Sequence, residues 1–560
     1  MLRKLRYIIP LALIVCFSCS KSHFDINVDP NNPAVLPVNN LLPQIEKSLG
    51  DGVAIDANAI YDQIGIGTAL EVYMHRISVR EEPNGYGVTG GGGYVNQMWD
   101  TYYSTTLTNA DIIIDKSTEA GNFKYAGIAK IIKAYAVSQL VDVFGDVPYS
   151  EATQLVKSKR NPKFDDDAVI YPQLLILIDT AISNLNNAAK NPLIPGIDDV
   201  IYGGNITNWI KAANTLKLKL LTQMRLVKDV SAQVNALLAS PATLISSTAE
   251  NFILPYNADN KNPGYSDYTA AQRTKDISPW FYEILSGYNP NIFTGNKDPR
   301  IPYYFYNQIK KGQTSVNDNN ATEYRDSSFV SIYFGSNGDN VGRTQQNTMT
   351  VLGIYPVGGK FDVGAGGTVN ATSGTGAAPY RFITYADRLF LEAELIKQGV
   401  IVGDARAKTL QAITESFKQV DDVVTKTGSA GVPVLNGSAA VTAYINKVMG
   451  EYDANSSKHL QIIMTKKWIS SFGSSVDAYT DYRRTGFPIL FDPSNSTMAP
   501  GGFVQPPVNG NPLLVPQAPV PVSVNRPFPQ SLPWPSAELT SNSSAPKQKE
   551  PSTYKVFWKP

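Results

Sequence analysis

Apolar residues recur every three to four positions through much of the first half of the chain. Between 205 and 227, Ile206, Trp209, Ile210, Ala213, Leu216, Leu220, Leu221 and Met224 share one helical face, while Lys211, Asn214, Lys217 and Arg225 fall largely elsewhere. Asn205 or Thr207, just past Gly203-Gly204, can cap the start of this helix. The stretch 123–144 is apolar on nearly all sides, which predicts a helix buried among others and ended by Gly145 and Pro148. Similar spacing predicts helices over 94–118 and 168–189. From about 250 to 380 the pattern fades into Tyr, Asn, Gly, Asp and Pro, and only 277–287 keeps helical spacing. Helices return over 382–398, 404–422, 438–449 and 456–473. In the first two of these, Ala386, Ala393, Ala405 and Ala412 supply small residues at packing positions across a short Gly-containing turn, as in a tetratricopeptide unit. The expected fold is therefore mostly α. It is a single domain over 41–560, with a tetratricopeptide-like helical-repeat body at about 41–250 and 380–485. A loop-rich, partly irregular insertion fills about 250–380, and a Pro- and Asn-rich segment, 486–560, wraps over the body.

The N-terminus carries a different pattern. Arg3, Lys4 and Arg6 precede a short apolar run, Tyr7 to Phe17, too short to span a bilayer as a stable helix. A small residue, Ser18, then stands directly before Cys19, as at the end of a bacterial lipoprotein signal. Residues 1–18 read as the signal and Cys19 as the acylated new N-terminus, with Cys16 disfavoured because Val15 precedes it. Residues 19–40 read as an extended polar tether.

Composition removes most chemistry. Lys and Arg number 49 against 48 Asp and Glu, so nothing favours a polyanion, and nucleic acid is excluded as a dedicated partner. The only histidines, His23, His75 and His459, are far apart, and the only cysteines are Cys16 and Cys19. That excludes a Cys/His zinc site, a cysteine nucleophile and any disulfide in the body. Gly85-Tyr86-Gly87-Val88-Thr89-Gly90 matches GxGxxG but lacks a βαβ context, so it reads as a surface loop. Gly358-Gly359-Lys360 is followed by Phe361 where a P-loop needs a hydroxyl residue. Asp298, Asp339 and Asp362 are acids with no spacing that marks a glycosidase pair. Asp165-Asp166-Asp167 and Asn317-Asp318-Asn319 do not follow a calcium loop; the first is expected to cap a helix and the second to form a turn. No catalytic residue, metal or cofactor is expected.

What stands out is aromatic usage, with 30 Tyr, 21 Phe and 6 Trp. Trp280, Tyr282, Tyr288, Tyr303, Tyr304 and Tyr306 lie in the irregular third among Asn, Asp and Arg. Flat rings accept the C–H faces of sugars, and such neighbours suit their hydroxyls, so these six are candidate ligand contacts. Tyr86 and Tyr94 in the glycine-rich loop are the reserve candidates. The competing reading is that these rings anchor loops to the core.

Several segments together resemble the SusD/RagB family of outer-membrane nutrient-binding lipoproteins, in its second, SusD-like branch. They are Tyr125-Ala126-Gly127, Leu140-Val141-Asp142-Val143-Phe144-Gly145-Asp146-Val147-Pro148, Tyr202-Gly203-Gly204 leading to Trp209, and Asp298-Pro299-Arg300. Further on come Tyr385-Ala386-Asp387, Lys466-Lys467-Trp468, Asp481-Tyr482-Arg483-Arg484 and the ending Val556-Phe557-Trp558. The one departure is Asp387, where Glu is the commoner residue. The resemblance implies four tetratricopeptide-like units, an irregular ligand-facing half and no catalysis. It also implies capture of oligosaccharides or polysaccharides at the outer face of the outer membrane and delivery to a SusC-like TonB-dependent transporter. It carries no sugar-contact residues over. A peptide ligand, a surface glycosidase and a scaffold without a small ligand are the rival expectations.

Overall fold

The computed structural model describes residues 36–560 apart from 56–64, 81–82, 155–158, 190, 271–272, 314–322, 340, 342–344 and 507–516. The signal, Cys19, most of the tether and Asn317-Asp318-Asn319 lie outside the described residues.

Helices dominate, as the periodicity predicts. The first is α1 (Val38–Asp51), which starts inside the stretch read as tether because Pro37 and Pro43 mask its apolar face. The short α2 (Ile66–Tyr73) is buried on all sides. The predicted helix 94–118 is one continuous helical run in three parts: α3 (Gly93–Asp100), a π-helical stretch at Thr101–Leu107, and α4 (Thr108–Glu119). Next come α5 (Phe123–Phe144), α6 (Asp167–Asn186), α7 (Ile206–Met224) and α8 (Ser231–Leu238). After the irregular third, which holds α9 (Pro279–Ser286), follow α10 (Tyr385–Lys397), α11 (Ala405–Thr427), α12 (Ala439–Ala454), α13 (His459–Ser470) and α14 (Ser475–Thr485).

Successive helices pack on one another: α4 on α5, α5 on α6, α6 on α7, α10 on α11 and α11 on α12. The two helical halves meet where α10 crosses α7 and α14 touches α2 and α5. Side-chain caps fix the helix starts. Asp166 accepts from the Ala168 amide at 2.9 Å and Asn205 from the Asn208 amide at 3.1 Å. Thr384 and Asp387 form a reciprocal capping box, so the departing Asp387 reaches the Thr384 amide at 2.9 Å from the family position.

Strands among the described residues occur only as two-stranded antiparallel pairs. Three of them stitch the irregular third to the helices and to itself. Ile77–Ser78 pairs with Asp276–Ile277, Phe252–Leu254 with Tyr380–Ile383, and Phe305–Tyr306 with Val351–Leu352. The C-terminal residues return to the first helical half. Leu532 donates its amide to the Val143 carbonyl at 2.8 Å, and Trp558 is fully buried.

The motifs that carry the family resemblance are buried polar joints. Asp142 receives the Trp558 indole at 3.2 Å and the Gln223 amide at 3.0 Å, and Tyr171 donates to it as well. Asp199 takes the Trp209 indole at 2.7 Å and the amides of Tyr202 and Gly204, which explains the Tyr-Gly-Gly…Trp spacing. Asp298 holds Arg300 at 2.6 Å and accepts from Tyr444 at 2.7 Å. Lys467 and Arg484 both pair with Asp481 at 2.7 Å, and Arg484 also pairs with Glu394. Asp142 and Asp199 are thus met by neutral donors, and Asp298 and Asp481 by opposite charges.

Candidate functional site

The eight candidate rings do not form one platform. Trp280, Tyr303, Tyr304 and Tyr306 are buried, as are Tyr86 in the glycine-rich loop and Tyr94 in the first turn of α3. The polar ends of the first four point inward at backbone. Trp280 donates to the Ile489 carbonyl at 3.0 Å, Tyr303 to Pro433 at 2.5 Å, Tyr304 to Ile469 at 3.0 Å and Tyr306 to Gly366 at 2.6 Å. Tyr86, held at φ +57°, shares a 3.0 Å hydrogen bond with His75 Nε2. In the structure the faces of these six are packed against the core. The physical reason is that loops leave carbonyls without ladder partners, and a phenol supplies an apolar ring and a donor in one side chain. Tyr265, Tyr268 and Tyr355 do the same for Ala371, Leu352 and Ser470.

Tyr282 and Tyr288 are the two candidates that stay half-buried. Tyr282 lies flat on Phe329, centroids 3.8 Å apart, and donates to Asp326 at 2.5 Å. Tyr288 stands edge-on to it at 6.2 Å.

A cleft of about 490 Å³ opens elsewhere, where the π-helical stretch meets the C-terminal segment. Its floor is Trp99, packed between Phe144 at 5.3 Å and Phe164 at 5.9 Å. On this floor leans the half-buried ring of Tyr103, centroids 4.8 Å apart at 46°. The Tyr103 hydroxyl is tied to the Pro148 carbonyl at 2.7 Å, so the ring cannot swing. Asp100, Ser104 and Thr108 line the same wall. Across from them stand Glu538 and Asn542, the latter donating to Glu538 and to the Pro162 carbonyl, both at 2.8 Å. Arg160 and Thr153 close the lip. Burial raises the Asp100 carboxyl from its ordinary value. None of these lining residues was singled out by sequence reasoning. Trp99 and Tyr103 sit in an ordinary helical pattern, and the π turn that presents Tyr103 has no sequence signature.

Further pockets among the described residues include two away from this cleft. One, about 400 Å³ and polar, is lined by Glu323, Arg325, Asn337 and Asp339. The other, about 100 Å³, lies against Trp280, Ile284 and Ile489. Of the Asp165–Asp167 run, Asp166 and Asp167 converge with Asp146. The Asp167 carboxyl, pushed up to about 7 chiefly by burial, accepts the Phe557 amide at 3.0 Å, while Asp166 caps α6 as expected. This cluster therefore closes a helix start and holds the C-terminus.

Residues 30–505 match the SusD-like family model described as starch-binding and associating with the outer membrane. The chain belongs to this SusD-like family. Solved structures agree in fold. A SusD/RagB family protein from Bacteroides thetaiotaomicron is 20 % identical, with a TM-score of 0.62 over 91 % of this chain and 95 % of that one. A chitin-binding SusD homologue from Flavobacterium johnsoniae is 18 % identical, with a TM-score of 0.64 over 93 % and 98 %. A SusD-like protein of Bacteroidetes AC2a is 18 % identical, with a TM-score of 0.66 over 94 % and 100 %. No curated protein matches the chain significantly.

Proposed function

We propose that this protein captures glycans at the outer face of the outer membrane and passes them to a SusC-like TonB-dependent transporter, without acting on them as an enzyme. The observation that carries this reading is family membership over residues 30–505, the family being described as starch-binding and outer-membrane associated. The chitin-binding relative from Flavobacterium johnsoniae adds support for a carbohydrate ligand. Lipid on Cys19 would tether the protein, and a lipoprotein cysteine carries more than one acyl chain, as durable anchoring requires. Of the eight ring candidates, Tyr282 and Tyr288 are the proposed contacts.

The test is a screen of the exported protein against neutral and acidic polysaccharides and peptide pools by affinity gel shift. Retention by a glycan, with polymer length unchanged over hours, is the expected result. Release of reducing ends would make it a glycosidase, and retention by peptides alone would reassign the ligand. For the tether, labelled palmitate is expected in the wild-type chain and absent from Cys19→Ala. For the partner, a TonB-dependent barrel is expected to co-purify from detergent-solubilised outer membranes.

A further inference from the structure

We infer that the cleft between the π-helical stretch and the C-terminal segment is a binding site for a neutral oligosaccharide. Three departures from ordinary structure converge on it. The first is the π-helical stretch Thr101–Leu107, a rare conformation that is frequent at functional sites. The second is Thr153, a β-branched residue held at φ +60°, a backbone state that costs energy and persists only where its surroundings enforce it. Here the enforcing contact is Asp111, which accepts from the Thr153 hydroxyl at 2.5 Å while paired with Lys133 at 2.5 Å. The third is unspent charge: Asp100 and Arg160 line the same cleft and pair with no described residue.

The chemistry of a sugar fits this arrangement. A fixed, half-buried Tyr103 offers a stacking face with little rotational freedom left to lose. Asp100, Glu538 and Arg160 offer acceptors and a donor fork for hydroxyls around that ring. The volume lies within the range of small-ligand sites. Charge sets the class. Two carboxylates face one guanidinium, so a uronate or sulfated chain meets net repulsion, while an uncharged chain satisfies both signs through its hydroxyls.

This inference rests on the glycan-capture reading, and the experiment separates the two. The exported protein is titrated by calorimetry with maltoheptaose, chitohexaose and mannohexaose as neutral probes and with oligogalacturonate as the acidic one. Wild type is expected to bind at least one neutral probe and not the acidic one. Tyr103→Ala and Arg160→Ala are each expected to weaken that binding about tenfold or more. Val402→Ala, fully exposed and outside the cleft, is expected to leave it unchanged. Arg160 is exposed and pairs with no described residue, so its variant keeps the test valid even if Tyr103→Ala melts early. Normal binding by both cleft variants overturns the site while leaving glycan capture intact. Preference for oligogalacturonate overturns the neutral class. No binding to any probe overturns the inference, and the capture reading falls with it if the polysaccharide screen is also blank.

Discussion

At the scale of single residues, the unusual groups are titratable side chains denied water. His75 is fully buried against Tyr86, Phe334 and Phe491, and burial pushes its imidazole down to about 3. Its folded value is depressed, so the neutral ring supports the fold above the unfolded value near 6.5. That support is lost as pH falls, because the unfolded chain takes up a proton that the folded one refuses. By pH 5 the loss amounts to about 2 kcal/mol. Urea denaturation at pH 7 and pH 5 is expected to show that loss in wild type and a smaller one in His75→Gln. Glu46 behaves oppositely. Burial first, then the neighbouring Asp199, raise its carboxyl well above its ordinary value. Its contribution is complete below the unfolded value and declines as pH rises through the folded one. Glu46→Gln, which keeps a neutral donor beside Asp199, is therefore expected to melt higher than wild type at pH 8 and to lose that advantage at pH 4.

At the scale of elements, a network of charges joins four helical segments. Arg484 at the end of α14 pairs with Glu394 of α10 and Asp481, which Lys467 of α13 also holds, and Arg225 beyond α7 reaches Glu394 at 2.8 Å. Burial alone would raise the Glu394 carboxyl, but Arg484 and Arg225 hold it below its ordinary value. Arg484→Met takes away the guanidinium that Glu394 and Asp481 share inside the stack and is expected to cost about 3–5 kcal/mol, read from equilibrium denaturation. Periodicity made most of these helices legible, because each buries one apolar face. It missed the short α8 and the Pro-interrupted α1, as well as α2, which is apolar without a polar face, and α14, whose polar face is buried in ion pairs. It also read the run from Gly93 to Glu119 as uniform, because a π turn shifts the register by a residue without changing composition.

At the scale of the molecule, the fold and the family were readable, while most of the ring candidates lie packed in the core. Tyrosine in loops looked like a ligand platform, but the same richness serves loop carbonyls at Pro433 and Gly366 and the carbonyl of Ile469 at the end of α13. The inferred cleft, by contrast, is assembled from residues about 440 positions apart, from Trp99 to Asn542, which no local pattern can reveal. Its far wall belongs to the C-terminal segment, whose last anchor is Trp558. That indole is fully buried, with Arg483 4.8 Å from its ring. Trp558→Ala is expected to cost about 3–5 kcal/mol. A thermal melt followed by near-ultraviolet dichroism would register this as an early loss of aromatic signal.

The tie between Asp142 and Trp558 also has a consequence in time. The donor lies 416 residues beyond its acceptor, so a chain still emerging from the ribosome holds Asp142 with part of its shell missing. Burial pushes that carboxyl up to about 6, and closing α5 against α6 and α7 before the indole arrives leaves the group less well met. The final packing of the first helices thus waits for the last residues to be synthesised.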